Sequence, residues 1–124
     1  MLVLLVDDSP TMRRYVARTL RMTGMECSIE EAGNGVEAMR IAAEVRPDLI
    51  ITDLNMPEMS GDELVACVAK DPVLGRTPIL VLSSDRSACR PEQLIHAGAV
   101  AYMTKPVSPE ALRVQLLEIM GSQT

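Results

Sequence analysis

A chain of 124 residues fits one ordinary domain, and 48% apolar residues supply a core for it. With no Phe, no Trp and only Tyr15 and Tyr102, that core is aliphatic, and no base-stacking platform for single-stranded nucleic acid is available. A formal charge of −5 argues against non-specific attraction to DNA or to anionic lipid, so neither direct nucleic-acid binding nor membrane insertion is expected.

Short apolar runs alternate with helical patterns from end to end. Leu2–Val6 is a continuous hydrophobic run that stops at Asp7-Asp8, and it is far too short for a bilayer span or a signal segment. A cytoplasmic location is expected. Ser9 and Pro10 are good N-cap and first-turn residues, and Met12, Tyr15, Val16, Thr19 and Leu20 then form one helical stripe. Gly24 closes that helix. Cys27–Ala32 reads as a weaker strand, and Asn34-Gly35 turns into a helix carrying Val36, Met39 and Ala43 that ends before Pro47.

Asp48–Asp53 is a buried strand ending in an acid. Gly61-Asp62 opens a helix with Leu64, Val65 and Val68 on one side, and Pro78–Ser83 is a fourth strand. A helix from about Pro91 to Ala97 and a short strand, Val100–Met103, follow. Lys105-Pro106 breaks the chain, and Ser108-Pro109 starts a last helix through about Met120. Five β–α units in strict alternation predict an α/β domain over residues 1–124, with a parallel sheet covered by helices on both faces.

In such a sheet, ligands bind beyond the carboxyl ends of the strands. The residues expected there are Asp7 and Asp8 after the first strand, and Asp53 and Asn55 after the third. Ser83 and Ser84 follow from the fourth, and Thr104 and Lys105 from the fifth. The second strand contributes nothing comparable, which suits an edge. Crowded carboxylates raise one another's pKa unless a cation holds them. An oxygen-only ligand set selects a hard cation such as Mg²⁺. A carboxylate nucleophile, that cation, a lysine and a hydroxyl together form a site for phosphoryl transfer.

The acids at 7–8, the DLNMP run at 53–57, the Ser83-Ser84 pair and Lys105-Pro106 resemble the receiver domain of response regulators. The stretches DDSPTMRRYV and AYMTKP look particularly like the stand-alone CheY-like chemotaxis regulators. The resemblance spans essentially the whole chain and implies a doubly wound, flavodoxin-like sheet of strand order 2-1-3-4-5. It implies that Asp53 is the phosphoacceptor. Mg²⁺ is then bound directly by Asp8, mostly through water by Asp7, and by Asp53 and the Asn55 carbonyl. Ser83 and Lys105 hold phosphoryl oxygens, Ser83 and Tyr102 form the switch, and Asn55 and Asp85 tune dephosphorylation. A cis Lys105-Pro106 bond is also implied. Val107 departs from the family, which often has an aromatic residue there, and altered packing of the last loop is expected.

The implied partners are a histidine kinase or histidine phosphotransfer domain and a downstream protein. The kinase side docks near the first helix, where Arg13, Arg14, Arg18 and Arg21 lie off the apolar stripe. The target binds the face made by the fourth helix, the fifth strand and the last helix. Such a protein is a signalling switch with autophosphorylation and autophosphatase activity rather than a conventional enzyme. A Mg²⁺-dependent phosphatase of the haloacid-dehalogenase kind also uses an Asp nucleophile, but needs a second acid where Asn55 stands. An inert pseudo-receiver is disfavoured by the full set of site residues. The chain reads either as a single-domain regulator or as a receiver taken from a longer response regulator or hybrid kinase.

Other features read as structural. Gly33, Gly35 and Ala38 match a dinucleotide fingerprint in form, but they follow the second strand and are explained by a turn. His96 reads as an exposed helix residue. Cys27, Cys67 and Cys89 make no disulfide framework or metal pair.

Overall fold

A computed structural model describes residues 1–56, 59–83, 95 and 98–122. Apart from Ile95, the expected helix near 91–97 lies outside the described residues, as do Ser84, Asp85, Cys89 and His96. The described elements are β1 (Leu2–Val6), α1 (Pro10–Met22), β2 (Ser28–Ala32), α2 (Gly35–Val45), β3 (Leu49–Asp53), α3 (Gly61–Lys70), β4 (Ile79–Ser83), β5 (Ala101–Thr104) and α4 (Pro109–Ser122). All strand pairs are parallel, in the order β2-β1-β3-β4-β5.

Local chemistry sets where the helices begin. Ser9 Oγ accepts from the Met12 amide at 3.3 Å, and Pro10 occupies the first helical position, where a missing N–H costs nothing. Asn34 Oδ1 caps α2 by accepting from the Glu37 amide at 2.8 Å, so the Asn34-Gly35 turn is a helix cap and not a nucleotide loop. Ser108 Oγ accepts from Ala111 at 3.1 Å at the start of α4. Gly24, at φ +79°, ends α1 in the left-handed region that suits glycine.

Alternation along the central strands sends side chains to two cores. Val3, Leu5, Leu49, Ile51, Leu80 and Leu82 pack under α1 and α4. Leu4, Val6, Ile50, Ile79 and Val81 pack under α2 and α3. Burial on both faces is why these strands are apolar throughout. β2 differs: Ser28, Glu30 and Glu31 are exposed, as an edge strand allows. Among the described residues no helix is long and apolar enough to cross a membrane.

Candidate phosphoacceptor site

Register brings the strand ends together. Val6 lies opposite Thr52, so Asp7 and Asp53 emerge side by side. Asp53 lies opposite Leu82, and Ser83 opposite Thr104, which places Lys105 one step beyond. The Lys105 amide then donates to the Ser83 carbonyl oxygen at 2.8 Å, extending the ladder past the end of β5.

Lys105 stands between the acids. Its Nζ lies 3.1 Å from Asp53 Oδ1 and 3.2 Å from Asp7 Oδ2, with all three side chains at most 12% exposed. Asp7 also accepts from the Ser9 amide at 2.9 Å. Asp8 is exposed and forms no ion pair among the described residues. Carboxylate oxygens of Asp7, Asp8 and Asp53 lie within 4.8 Å of one another.

Burial raises the Asp53 pKa above its ordinary 3.8, while the Lys105 charge and hydrogen bond oppose the rise. Repulsion from Asp7 adds to the increase but ranks below burial. Crowding of acids, the cause expected from the sequence, is therefore secondary to burial.

Asn55 is exposed, two residues past Asp53. Ser83 is fully buried at the end of β4, in the same alternating set as Ile79 and Val81. Tyr102, half-buried, packs against that same α2–α3 layer, and its hydroxyl lies 3.5 Å from Thr104 Oγ1. The serine and tyrosine thus share one face of the β4–β5 pair, away from the α1–α4 core. Lys105-Pro106 is cis, as the resemblance implied. Asp85 lies outside the described residues.

Several residues that shape the site were not singled out for it in the sequence. Gly61 is one. A Cβ there would stand 2.5 Å from the Asp53 carbonyl oxygen and 2.9 Å from Leu54 Cα, while the Gly61 amide donates to Leu54 O at 2.8 Å. The start of α3 therefore closes onto the backbone of Asp53 itself, which only glycine permits. Arg13 is another. It departs from the expected exposed arginine face, because its guanidinium donates to the Asp7 carbonyl at 2.6 Å and pairs with Glu31 at 2.9 Å. Arg14, Arg18 and Arg21 remain exposed. Val107, where the sequence departs from the family, is buried, and its backbone is bonded to the Tyr15 hydroxyl.

The response regulator receiver domain family matches residues 3–117. This chain belongs to that family. It is 37% identical over 123 residues to the chemotaxis protein CheY1 of Helicobacter pylori, covering 98% of each. The solved structure of Vibrio cholerae chemotaxis protein CheY4 superposes with a TM-score of 0.83 at 38% identity, covering 95% of this chain and 97% of that one. A 34% match over 119 residues takes in 96% of this chain but 8% of a hybrid signal transduction histidine kinase of Dictyostelium discoideum. The domain is a two-component receiver of the CheY-like kind, a module that also occurs inside hybrid kinases and longer regulators.

Proposed function

We propose that this receiver takes a phosphoryl group on Asp53 from a phosphohistidine donor and releases it by hydrolysis. The observation that carries the reading is the position of Lys105 Nζ, 3.1 Å from Asp53 Oδ1, beside two further carboxylates. An Asp53 carboxylate oxygen attacks phosphorus, the P–N bond breaks, and its electron pair leaves with the imidazole. Lys105, already at the acceptor, neutralises charge on the transferring group without having to move in from solvent. Hydrolysis breaks the new O–P bond by attack of water on phosphorus. Asn55, exposed two residues past Asp53, tunes its rate, and the family resemblance gives Asp85 the same role.

The residues fit Mg²⁺. The cluster offers oxygen alone, and Asp8 has no competing cation partner among the described residues. Asp8, Asp53 and the Asn55 carbonyl would hold the ion, with Asp7 acting through water, and the ion would supply charge neutralisation between acceptor and phosphoryl oxygens.

Output runs through Ser83 and Tyr102. A phosphoryl group on Asp53 draws the Ser83 hydroxyl toward it, and Tyr102 repacks in the space left on the shared face. Helix α4, which follows β5 in the chain, exposes Val114 at 55% and Leu117 at 52%, more apolar area than its core stripe requires. A downstream protein binds there, and the histidine-bearing partner docks at α1. The phosphatase alternative lacks support at Asn55, which cannot protonate a leaving group.

Incubation with Mg²⁺ and acetyl phosphate tests the acceptor. One acid-stable, hydroxylamine-labile phosphoryl group is expected by mass spectrometry, and none in Asp53→Asn, whose amide is not a nucleophile. Full labelling of that variant would overturn the assignment.

A further inference from the structure

Helix α1 reaches both loops that carry the charged groups of the site. Arg13 holds the β1–α1 loop through the Asp7 carbonyl at 2.6 Å. Two residues on, the Tyr15 hydroxyl donates to the Val107 carbonyl at 3.1 Å and accepts from the Val107 amide at 3.2 Å. One phenol thus satisfies both polar groups of a residue 92 positions away, next to the cis Lys105-Pro106 bond. Among the described residues, the backbone of 105–107 is held at two points: Lys105 N–H on Ser83 and Val107 on Tyr15.

Packing alone does not call for this hydroxyl. A phenylalanine would bury the same ring on the apolar stripe of α1, and a buried phenol is retained at no cost only where it finds partners. What the bonds accomplish is local. Beside them lies an open, largely apolar groove of about 420 Å³, lined by Thr11, Met12, Tyr15, Lys105 and Pro106. Lys105 has four rotatable methylenes and therefore a second place to go if its loop loosens.

We propose that Tyr15 is a positioning residue for Lys105. By fixing Val107, its hydroxyl keeps the lysine directed at Asp53 and out of the groove. The inference rests on the phosphoacceptor reading above and adds a role for a side chain that touches neither the phosphoryl group nor the acids.

A double-mutant cycle on the rate of phosphorylation by acetyl phosphate tests it, using Tyr15→Phe, Lys105→Ala and the pair. Tyr15→Phe is expected to slow the wild-type domain about fivefold, the effect of losing a hydrogen-bonded constraint. It is expected to have no further effect once Lys105 is alanine, because its action passes through that ammonium. Mg²⁺ affinity, set by the acids, should stay within about twofold. A purely structural tyrosine would slow both backgrounds by the same factor, and that result, or a wild-type rate in Tyr15→Phe, overturns the proposal. Tyr15→Leu with Val107→Phe supplies a second arm: restored packing without the hydroxyl should leave the rate low, and full recovery would show that the ring and not the bonds matters. A wild-type rate in Lys105→Ala would instead refute the site reading itself, and this inference with it.

Discussion

Lys105 Nζ lies 3.1 Å from Asp53 Oδ1, and the two residues are 52 positions apart. The same ammonium reaches Asp7 at 3.2 Å, so one cation is shared by two largely buried acids. Removing it alters both the chemistry and the local charge. Lys105→Met is expected to slow acetyl-phosphate labelling at least about tenfold, the size of effect that follows loss of one preorganised charge contact. Mg²⁺ should bind at least as tightly as in the wild type, because a competing positive charge has gone. Calorimetric titration of Mg²⁺ alongside labelling kinetics checks both halves, and weaker metal binding would contradict the second.

Asp53 gives the metal-free domain a pH-dependent weakness. Its folded-state pKa is raised, first by burial, so the folded protein holds the proton more tightly than the unfolded chain does. The stability linked to protonation is fully present below the ordinary value of 3.8 and is lost as pH rises through the higher folded value. Asn resembles the protonated acid in shape and cannot ionise. Asp53→Asn should therefore raise the thermal midpoint of the metal-free domain near neutral pH, and the gain should fade toward pH 3. Adding Mg²⁺ should narrow the difference by stabilising the wild type more. A gain that stays constant from pH 3 to 8 would disprove the linkage.

The two acids after β1 differ in accommodation. Asp7 is buried against Lys105 and the Ser9 amide, whereas Asp8 is exposed and unpaired among the described residues. Asp8→Asn should lower Mg²⁺ affinity about tenfold or more, since Mg²⁺ gives up its waters reluctantly to a neutral ligand. Asp7→Asn should lower it less, but cost more stability, because Lys105 and the Ser9 amide both lose a charged partner. Metal titrations and denaturant midpoints of the two variants separate the effects. Equal losses of affinity would argue against a direct role for Asp8.

Gly61→Ala should be severe. The added methyl meets backbone, the Asp53 carbonyl oxygen at 2.5 Å, and not a flexible side chain that can turn aside. A loss of about 2 kcal/mol or more is expected, with slower labelling because the displaced backbone includes that of Asp53. Gly121→Ala has nothing within 4 Å of the new atom and should be near neutral. Urea denaturation of the pair provides the contrast, and a silent Gly61→Ala would show that the loop after β3 is free to move.

Signal output is testable without a partner. Beryllofluoride, a phosphoryl mimic, should shift amide NMR resonances at Tyr102 and along α4 well beyond those of α2. Tyr102 shares the Ser83 face of the β4–β5 pair, and α4 follows β5 directly, whereas α2 packs against β1 and β2, toward the opposite edge of the sheet from β5. A redistribution of a few kcal/mol between two states is enough to produce the change. Shifts confined to the loops around Asp53 would leave an acceptor without a switch.

Much of this domain was legible in the chain alone. Strand identity came from apolar runs such as Leu49–Ile51 and Ile79–Leu82, because strands buried on both faces have no polar alternation to blur them. Helix starts came from Ser9-Pro10 and Ser108-Pro109, whose capping chemistry is local. The chemical character of Asp7, Asp8, Asp53, Ser83 and Lys105 was equally readable, since each follows or ends a strand and parallel strands bring such positions to one edge.

Tertiary structure decided what depends on how segments approach one another in space. It tied Arg13 to the Asp7 carbonyl instead of leaving it on an open face, and it set Gly61 against the Asp53 backbone. It made Tyr15 the partner of Val107, although the helical stripe had marked that tyrosine simply as core. It also made burial, ahead of acid crowding, the main reason the Asp53 pKa rises, with Lys105 opposing the rise. Periodicity and capping act over a few residues and are written in neighbouring letters. Close approach, desolvation and shared hydrogen bonds depend on how segments meet in space, up to 92 positions apart for Tyr15 and Val107, and they exist only once the chain has packed.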